Sequence, residues 1–300
     1  MPTQEIDFSP PTAEAAPYLR PVTASLFAER AERFAHLAIG HSLGDWLNFL
    51  GQLTRAQHVV LQTLPELPLP DSATLEQARR HGMPPLDPGA RPAVWREVLR
   101  QLVRSLEAPG AAGVGEALLS LREATDSELE KLADTLLDGV PEADQAARLV
   151  FVGAALQVVY TALASQLAAG RWPALEVHGV CPCCGSLPVA SVVRLGAAIN
   201  NLRYLHCSLC NSEWNVPRAT CSACSTDQSV ALHEIEGANS PVRAETCDAC
   251  NSYLKIVYQE KDPHVDPVAD DLATLALDML VDEAGYQRAG PNLLLISTAA

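Results

Sequence analysis

The chain has 300 residues, of which 48% are hydrophobic and 19% charged, so wholesale disorder is excluded and a packed soluble protein is indicated. Its 21 lysines and arginines stand against 36 aspartates and glutamates, and the formal net charge of −15 makes nucleic acid and anionic lipid poor partners. Residues 181–258 are nearly neutral, with five basic and six acidic side chains, and they contain all nine cysteines.

The first residues, Met1–Asp7, carry no basic stretch followed by an apolar one, so we expect no secretory signal and a cytoplasmic location. In that reducing compartment, paired cysteines hold a metal or do redox work more often than they form structural disulfides. The cysteines are therefore interpreted first as metal ligands.

Residues 1–177 are predicted to form an α-helical domain. Apolar residues recur at steps of three and four from Trp46 to Leu64 and again from Pro92 to Leu106, and each series marks one face of a helix. The intervening Pro65–Pro92 holds seven of the 22 prolines and is predicted to be a long irregular connection. Further helices are predicted over 23–38, 114–124, 127–138 and 142–169.

An uncharged run of 22 residues, Leu149–Gly170, is long enough to span a bilayer. It contains polar residues such as Gln157 and Thr161, which would be costly in the middle of a membrane. We therefore predict that this run is a buried central helix of the bundle and that the chain does not insert into a membrane.

No catalytic motif is evident, and we predict that the chain is not an enzyme. It has no glycine-rich phosphate loop and no nucleophile elbow. The histidines of the helical domain show no spacing typical of a metalloprotease, so they are interpreted as ordinary core or surface residues: His36, His41, His58 and His81.

Eight of the nine cysteines form four Cys-x2-Cys pairs that repeat at a fixed interval. Each pair lies on what we call a knuckle, the tight turn between its two cysteines. The pairs Cys181/Cys184 and Cys207/Cys210 recur 40 residues later as Cys221/Cys224 and Cys247/Cys250. The same shift superimposes Arg203 on Arg243. An internal duplication of one small metal-binding unit is therefore predicted, with units at 178–219 and 220–258.

Two thiolates on one knuckle can curl around a metal, and two knuckles complete a tetrahedral shell of four sulfurs. We predict two metal sites with pairing within each unit; an interleaved arrangement would need longer crossings. Iron would give a rubredoxin-like centre and zinc would give a structural ribbon. The cysteine spacing does not distinguish the two metals. The residue after each knuckle is expected to need a left-handed backbone, which Gly and Asn adopt most readily: Gly185, Asn211, Ser225 and Asn251.

Cys183 and the two repeated arginines each allow two interpretations. Cys183 is either a reactive thiol or a spare small side chain, and we favour the latter because Ala223 occupies its repeat position. Arg203 and Arg243 either contact a client protein or brace the sheet beside the thiolates, and we favour bracing.

The residues of the cysteine-rich part and the tail resemble the FdhE family of formate dehydrogenase accessory proteins. The resemblance rests on Leu202–Cys210 with Glu213-Trp214, Arg243–Cys247, Tyr253–Lys255, Ala269–Leu275 with Leu277-Asp278, Gly285-Tyr286 and Pro291–Leu295. It covers about 178–295 closely, and the helical half is similar in pattern and length. Two departures are Cys183, which makes the first knuckle Cys-Pro-Cys-Cys, and Asn215, where a histidine is expected.

The resemblance implies a cytoplasmic protein for assembly or activation of respiratory formate dehydrogenase, which contacts the catalytic subunit and carries rubredoxin-type iron. Alternatives are a rubredoxin-like electron carrier and a zinc-ribbon transcription module, the latter disfavoured by charge. The predicted fold is α+β: a helical domain, two four-cysteine units and a helical tail at 259–300. In the tail, one helix is predicted with Asp270 and Asp271 as caps and with an apolar face of Leu272, Leu275, Met279 and Leu280.

Overall fold

The computed structural model describes residues 15–106, 113–168, 175, 179–195, 201–238 and 240–296. These residues form an α+β protein in which a helical domain packs against a mixed sheet. The six helices predicted for this domain are present, with ends shifted by a few residues, and one further short helix occurs. The helices are α1 (Leu26–Leu37), α2 (Gly44–Thr63), α3 (Ser72–Arg80), α4 (Val94–Ser105), α5 (Val114–Glu123), α6 (Asp126–Asp138) and α7 (Ala146–Gln166).

Helix α7 is the central helix of the bundle, as predicted from its uncharged run. Every residue from Phe151 to Ala164 is buried, and α2, α4, α5 and α6 pack around it. Within the described part of the chain, it is the one helix long and apolar enough to cross a membrane, but 78% of that window is buried inside the protein. Its buried amide Gln157 accepts a hydrogen bond from Gln57 (3.1 Å) and donates one to the carbonyl of Ser208 (2.8 Å).

The prediction that Pro65–Pro92 is irregular throughout is wrong, because helix α3 lies within it. Asp71 caps this helix by accepting a hydrogen bond from the backbone N–H of Thr74 (2.7 Å), and Leu75 is buried. A short 3-10 turn follows at Pro88–Ala90. The prolines lie outside α3, so nine residues between them are free to form helical hydrogen bonds.

The two cysteine units contribute three strands each to one sheet. The first unit supplies β2 (Pro188–Arg194), β3 (Leu202–Cys207) and β4 (Glu213–Val216); the second supplies β5 (Val230–His233), β6 (Val242–Cys247) and β7 (Ser252–Tyr258). With β1 (Tyr18–Leu19), the strand order is β1-β4-β3-β2-β7-β6-β5. The units are joined where β2 and β7 pair in parallel, with Ser191 opposite Ile256.

The tail differs from the predicted single helix. It contains α8 (Ala269–Leu272), α9 (Leu275–Glu283) and β8 (Gln287–Arg288), which pairs with β7. The helix is interrupted because the ammonium of Lys255 binds the carbonyls of Asp271 (2.7 Å) and Thr274 (3.1 Å). The apolar face also differs: Leu272, Leu277 and Val281 are buried, whereas Met279 and Leu280 are 65% and 52% exposed.

Asp270 and Asp271 do not cap α8; both are buried in ion pairs. Asp266, two residues before the N-cap Val268, takes this place, since its carboxylate accepts hydrogen bonds from the N–H groups of Val268 (3.0 Å) and Ala269 (2.8 Å). Asp270 instead pairs with Arg33 of α1 (2.6 Å), which ties the tail to the helical domain.

Asp271 accepts from Arg288 (2.7 Å) and Asn292 (2.8 Å) and lies 3.3 Å from the ammonium of Lys255. Arg30 of α1 adds a further pair with Asp266 (3.0 Å). These pairs hold the tail between α1 and the second cysteine unit, because a buried charge is stable only when it is paired.

Candidate metal centres

The first cluster consists of Cys181, Cys184, Cys207 and Cys210. The Sγ atoms of Cys181 and Cys210 lie 3.6 Å apart, and those of Cys184 and Cys207 lie 3.5 Å apart. One knuckle precedes β2, and the other is the turn between β3 and β4. None of the four residues is more than 1% exposed.

The second cluster consists of Cys221, Cys224, Cys247 and Cys250. Its Sγ atoms are 3.8 Å apart for Cys221 and Cys250 and 3.7 Å apart for Cys224 and Cys247. The knuckles occupy the repeat-equivalent places, before β5 and between β6 and β7. In both clusters the ligand atoms all lie within 4.8 Å of one another, and each cluster is drawn from one unit, so the structure contradicts the interleaved arrangement.

The spacing of the sulfurs fits one tetrahedrally bound metal ion in each cluster. Metal–sulfur bonds of about 2.3 Å place tetrahedral sulfurs about 3.8 Å apart, close to the measured pairs. Backbone N–H groups of Cys183 and Leu209 lie 3.4 Å from the Sγ atoms of Cys181 and Cys207, and that of Ala223 lies 3.4 Å from Cys221 Sγ. Such N–H groups stabilise thiolate ligands. Four sulfurs suit zinc or iron and leave no position for a reactive water.

All four residues that follow a knuckle have the left-handed backbone predicted from their position. The φ angles are 78° at Gly185, 57° at Asn211, 61° at Ser225 and 52° at Asn251. This conformation closes the turn: the N–H of Gly185 donates to Cys181 O (2.8 Å), and that of Ser225 donates to Cys221 O (3.0 Å). The chain therefore turns tightly enough to aim both sulfurs of a knuckle at one point.

The thiols of a cluster influence one another's ionisation. Burial raises the pKa of Cys181 and Cys207 well above the usual value for a thiol. Burial acts in the same direction on Cys250, but hydrogen bonds from Ser252 and the other thiols lower its pKa to about 7, whereas burial raises the pKa of Cys247 to about 12. A divalent cation supplies the positive charge that full deprotonation needs, so metal binding releases protons and weakens as pH falls.

Cys183 lies beside the first cluster but is not one of the four sulfurs that converge. It is fully buried, and its carbonyl accepts a hydrogen bond from the N–H of Leu86 (3.0 Å). Burial raises the pKa of its thiol well above the usual value, which favours the spare-side-chain interpretation over a reactive nucleophile.

The two repeated arginines have different surroundings. Arg203 is 1% exposed, pairs with Glu245 of the second unit (2.6 Å) and donates to the carbonyl of Thr220, the first residue of that unit (2.9 Å). Arg243 pairs with Glu234 (2.7 Å), a surface residue. Bracing is therefore the role that the contacts of Arg203 support.

A buried polar network beside the first cluster was missed by the sequence analysis. His206 binds the carboxylate of Glu213 (2.8 Å), which also pairs with Arg194. The guanidinium of Arg30 donates to Asn211 (3.0 Å). His206 and Glu213 lie within the residues that carry the family resemblance. Arg30 of α1, whose guanidinium lies 3.4 Å from His206 Nε2, is too distant in sequence for spacing to connect it to them.

Asn215 and His41, two other positions considered from the sequence, each contact a backbone carbonyl. Asn215 donates through its side chain to the carbonyl of Arg203 (2.9 Å). Of the four helical-domain histidines, His41 lies 3.0 Å from the carbonyl of Ala273. Within the described residues, the groups that could hold a metal are the two cysteine clusters, and none of these histidines belongs to them.

A cavity of about 1080 Å³ lies between the helical domain, the first cysteine unit and the segment before α8. Glu29, Glu32 and His36 of α1 line one side, and His206 and Glu213 line another. Glu29 and Glu32 are exposed to solvent. The cavity therefore provides a groove with both charged and apolar lining residues, directly beside the first cluster.

Comparison with known proteins gives one consistent family. Residues 15–176 match the model "FdhE, N-terminal", residues 180–218 match "FdhE, central domain" and residues 219–295 match "FdhE, C-terminal domain". The chain is 42% identical over 290 residues to a protein FdhE homolog of Pseudomonas aeruginosa, covering 94% of each chain. It is 43% identical over 284 residues to one of Edwardsiella ictaluri, covering 93% of this chain and 91% of that one.

The fold is also similar to a solved structure. The crystal structure of the FdhE protein from Pseudomonas aeruginosa superimposes with a TM-score of 0.83 at 40% sequence identity. The alignment covers 94% of this chain and 99% of that chain. The likeness therefore extends over the helical domain, both cysteine units and the tail.

Proposed function

Because this chain belongs to the FdhE family, we propose that it is a cytoplasmic accessory protein for the assembly or activation of respiratory formate dehydrogenase. In this proposal it binds the catalytic subunit of that enzyme and catalyses no reaction of its own. The observation that carries the proposal is the pair of four-thiol clusters, each with sulfur spacings of a tetrahedral metal site, within a fold similar to that of FdhE.

We propose that each cluster holds one iron ion of the rubredoxin type, with zinc as the alternative. The first cluster would hold its ion through the four buried thiolates, and the second through Cys221, Cys224, Cys247 and Cys250. Iron supplies one-electron chemistry when bound, whereas zinc supplies none. The protein contributes the thiolates, which are oriented by the left-handed backbone of the residue after each knuckle and by backbone N–H groups.

We place the client at the cavity between the helical domain and the first cysteine unit. This groove is large, is lined by both charged and apolar residues and is close to the first cluster. The exposed carboxylates of Glu29 and Glu32 on one face of α1 favour a client segment with positive charge. The network of His206, Glu213 and Arg194 fixes the opposite wall.

Anaerobic co-purification with the catalytic subunit tests this function. Wild-type protein is expected to recover the subunit, and Glu29→Lys with Glu32→Lys is expected to reduce recovery at least about tenfold, because charge reversal repels a cationic segment. Glu116→Lys with Glu123→Lys on α5 is the matched control, since both residues are exposed and neither lines the cavity. If wild-type protein forms no complex with the subunit, the accessory function is wrong.

A rubredoxin-like electron carrier is the second candidate. It is favoured by the exposure of Cys224 and Cys250, because electron transfer needs a centre close to the surface. A carrier would be reduced anaerobically with loss of its visible charge-transfer band and would support turnover of an acceptor without forming a stable complex.

A zinc-ribbon transcription module remains disfavoured by the net charge of −15.

A further inference from the structure

The duplication places the same four ligands in two different environments. Cys184 and Cys210 of the first cluster are 1% and 0% exposed. Their counterparts 40 residues later, Cys224 and Cys250, are both exposed, whereas Cys221 and Cys247 are 4% and 1% exposed. The second cluster therefore presents one edge of its sulfur tetrahedron to solvent, and the first presents none.

Contacts from the helical domain account for the closed first cluster. Gln157 of α7 donates to the carbonyl of Ser208 within one knuckle (2.8 Å), and Asn211 after that knuckle donates to Thr161 (2.8 Å). The other knuckle is covered by the segment before α4, where the N–H of Leu86 donates to Cys183 O (3.0 Å). Opening this cluster requires the helical domain to separate from it.

Both knuckles of the second cluster are exposed to solvent. Ala223, Cys224 and Ser225 are exposed on one, and all residues from Asp248 to Asn251 are exposed on the other. The tail contacts the second knuckle at two points: the hydroxyl of Tyr286 donates to Asp248 (2.5 Å), and the N–H of Gln287 donates to Asn251 O (2.8 Å). A solute can therefore approach Cys224 and Cys250 without any change in the fold.

We propose that the two centres have different tasks: the second exchanges its metal with an outside dithiol ligand, and the first retains its metal as a structural centre. This inference rests on the metal occupancy of the proposed function. In the exchange, each incoming thiolate forms a bond to the metal as the bond to one cysteine breaks, first at the exposed Cys224 and Cys250 and then at Cys221 and Cys247. Each displaced thiolate takes up a proton from solvent, and no electron is transferred.

The rate of metal exchange at each centre depends on how easily the incoming thiolate reaches the metal, because its sulfur must bind the metal before a cysteine is displaced. At the second centre that edge is already open. At the first centre the dithiol must wait for local unfolding, which in a tightly packed region occurs with a free energy close to that of global unfolding. Loss of the first metal also removes folding energy from the unit that supports α7 and α1.

Zinc release from the full chain tests the inference. Protein loaded anaerobically with two equivalents of Zn²⁺ is mixed with excess dimercaptosuccinate, and released zinc is measured in filtrates over time. One equivalent is expected to leave at least about tenfold faster than the other, since only one centre is open without local unfolding. Release of both equivalents in a single phase would overturn the inference, and binding of fewer than two equivalents would instead contradict the proposed metal content.

Alkylation of the same wild-type samples identifies the fast centre without any variant that fails to fold. N-ethylmaleimide, added during the fast phase in excess over the thiols of dimercaptosuccinate, is expected to modify Cys224 and Cys250, as read by peptide mapping. Modification of Cys184 and Cys210 at that stage would overturn the inference.

The double variant Cys224→Ser with Cys250→Ser is expected to bind one equivalent of zinc, which is released at the slow rate. Release of this equivalent at the fast rate would also overturn the inference.

Discussion

At the residue scale, a small number of local conformations set the geometry of both clusters. The left-handed position after each knuckle was evident from the sequence at Gly185, Asn211 and Asn251, because these residue types adopt it readily. Ser225 adopts the same conformation without that preference, since the repeat and the hydrogen bond to Cys221 O impose it. The contacts of Arg30 with His206, Asn211 and Asp266 were not predictable, because these three residues come from distant segments of the chain.

Ser225→Asn is expected to stabilise the second unit by about 0.5 kcal/mol, because Asn tolerates the left-handed backbone better than Ser. The reciprocal change Asn251→Ser, at the other knuckle of the same cluster, is expected to destabilise by a similar amount. Urea unfolding of the metal-loaded proteins measures both. Destabilisation by Ser225→Asn would show that the side chain of Ser225 has another role.

Cys183→Ala is expected to retain two metals per chain, because the four sulfurs of the first cluster converge without Cys183 and the repeat has Ala223 at this place. The lost packing of one buried sulfur is expected to cost about 1 kcal/mol. Metal analysis and urea unfolding check the two statements. Loss of accessory activity at full metal content would restore the reactive-thiol interpretation.

Glu213 provides a pH-dependent contribution to stability. Burial alone would raise its pKa, but Arg194 and His206 hold the pKa at about 2, below the usual value for a glutamate of about 4.3. A depressed pKa stabilises the folded state above the unfolded-state value, and this contribution is lost as pH falls from about 4.3 toward 2.

Glu213→Gln is therefore expected to lower the free energy of unfolding by about 3 kcal/mol at pH 7, and the difference from wild type is expected to shrink below about pH 4. Urea unfolding of both proteins between pH 7 and 3 measures this difference, in which any metal loss common to both cancels. A difference that stays constant with pH would contradict the ion-pair account.

At the scale of elements, the periodicity of apolar residues predicted the long helices, and the cysteine repeat predicted the two units. The short helix within the proline-rich connection and the break in the tail helix were not predicted. Helix α3 was hidden by its flanking prolines. The break between α8 and α9 depends on Lys255 of β7, whose ammonium takes up carbonyls that a continuous helix would use. The buried ion pairs of the tail are tertiary contacts, so residue spacing could not predict them.

Arg203 and Arg243 test the bracing role of the repeated arginines. Arg203→Ala is expected to cost about 3–5 kcal/mol, because it leaves Glu245 buried without its partner. Arg243→Ala is expected to cost less than about 1 kcal/mol, because its pair with Glu234 is at the surface. Thermal or urea unfolding measures both values. Equal costs, or weakened client binding by Arg203→Ala at unchanged stability, would contradict bracing.

At the scale of the whole molecule, the helical domain covers both knuckles of the first cluster, while the second cluster is exposed to solvent along one edge. Composition and charge predicted a packed acidic protein, and the duplication predicted two sites. The difference between the sites could not be predicted, because it arises from contacts of α7 and the segment before α4 with one repeat only. The molecule thus combines one closed and one open centre.

The metal content of protein purified without oxygen tests the central claim most directly. Elemental analysis and an absorption spectrum are expected to give two equivalents of metal per chain with the charge-transfer bands of iron bound to four thiolates. Cys207→Ser with Cys210→Ser is expected to leave one equivalent, held by the second cluster. One or no equivalent in soluble wild-type protein, or loss of both metals from the still-folded variant, would contradict two independent four-cysteine centres.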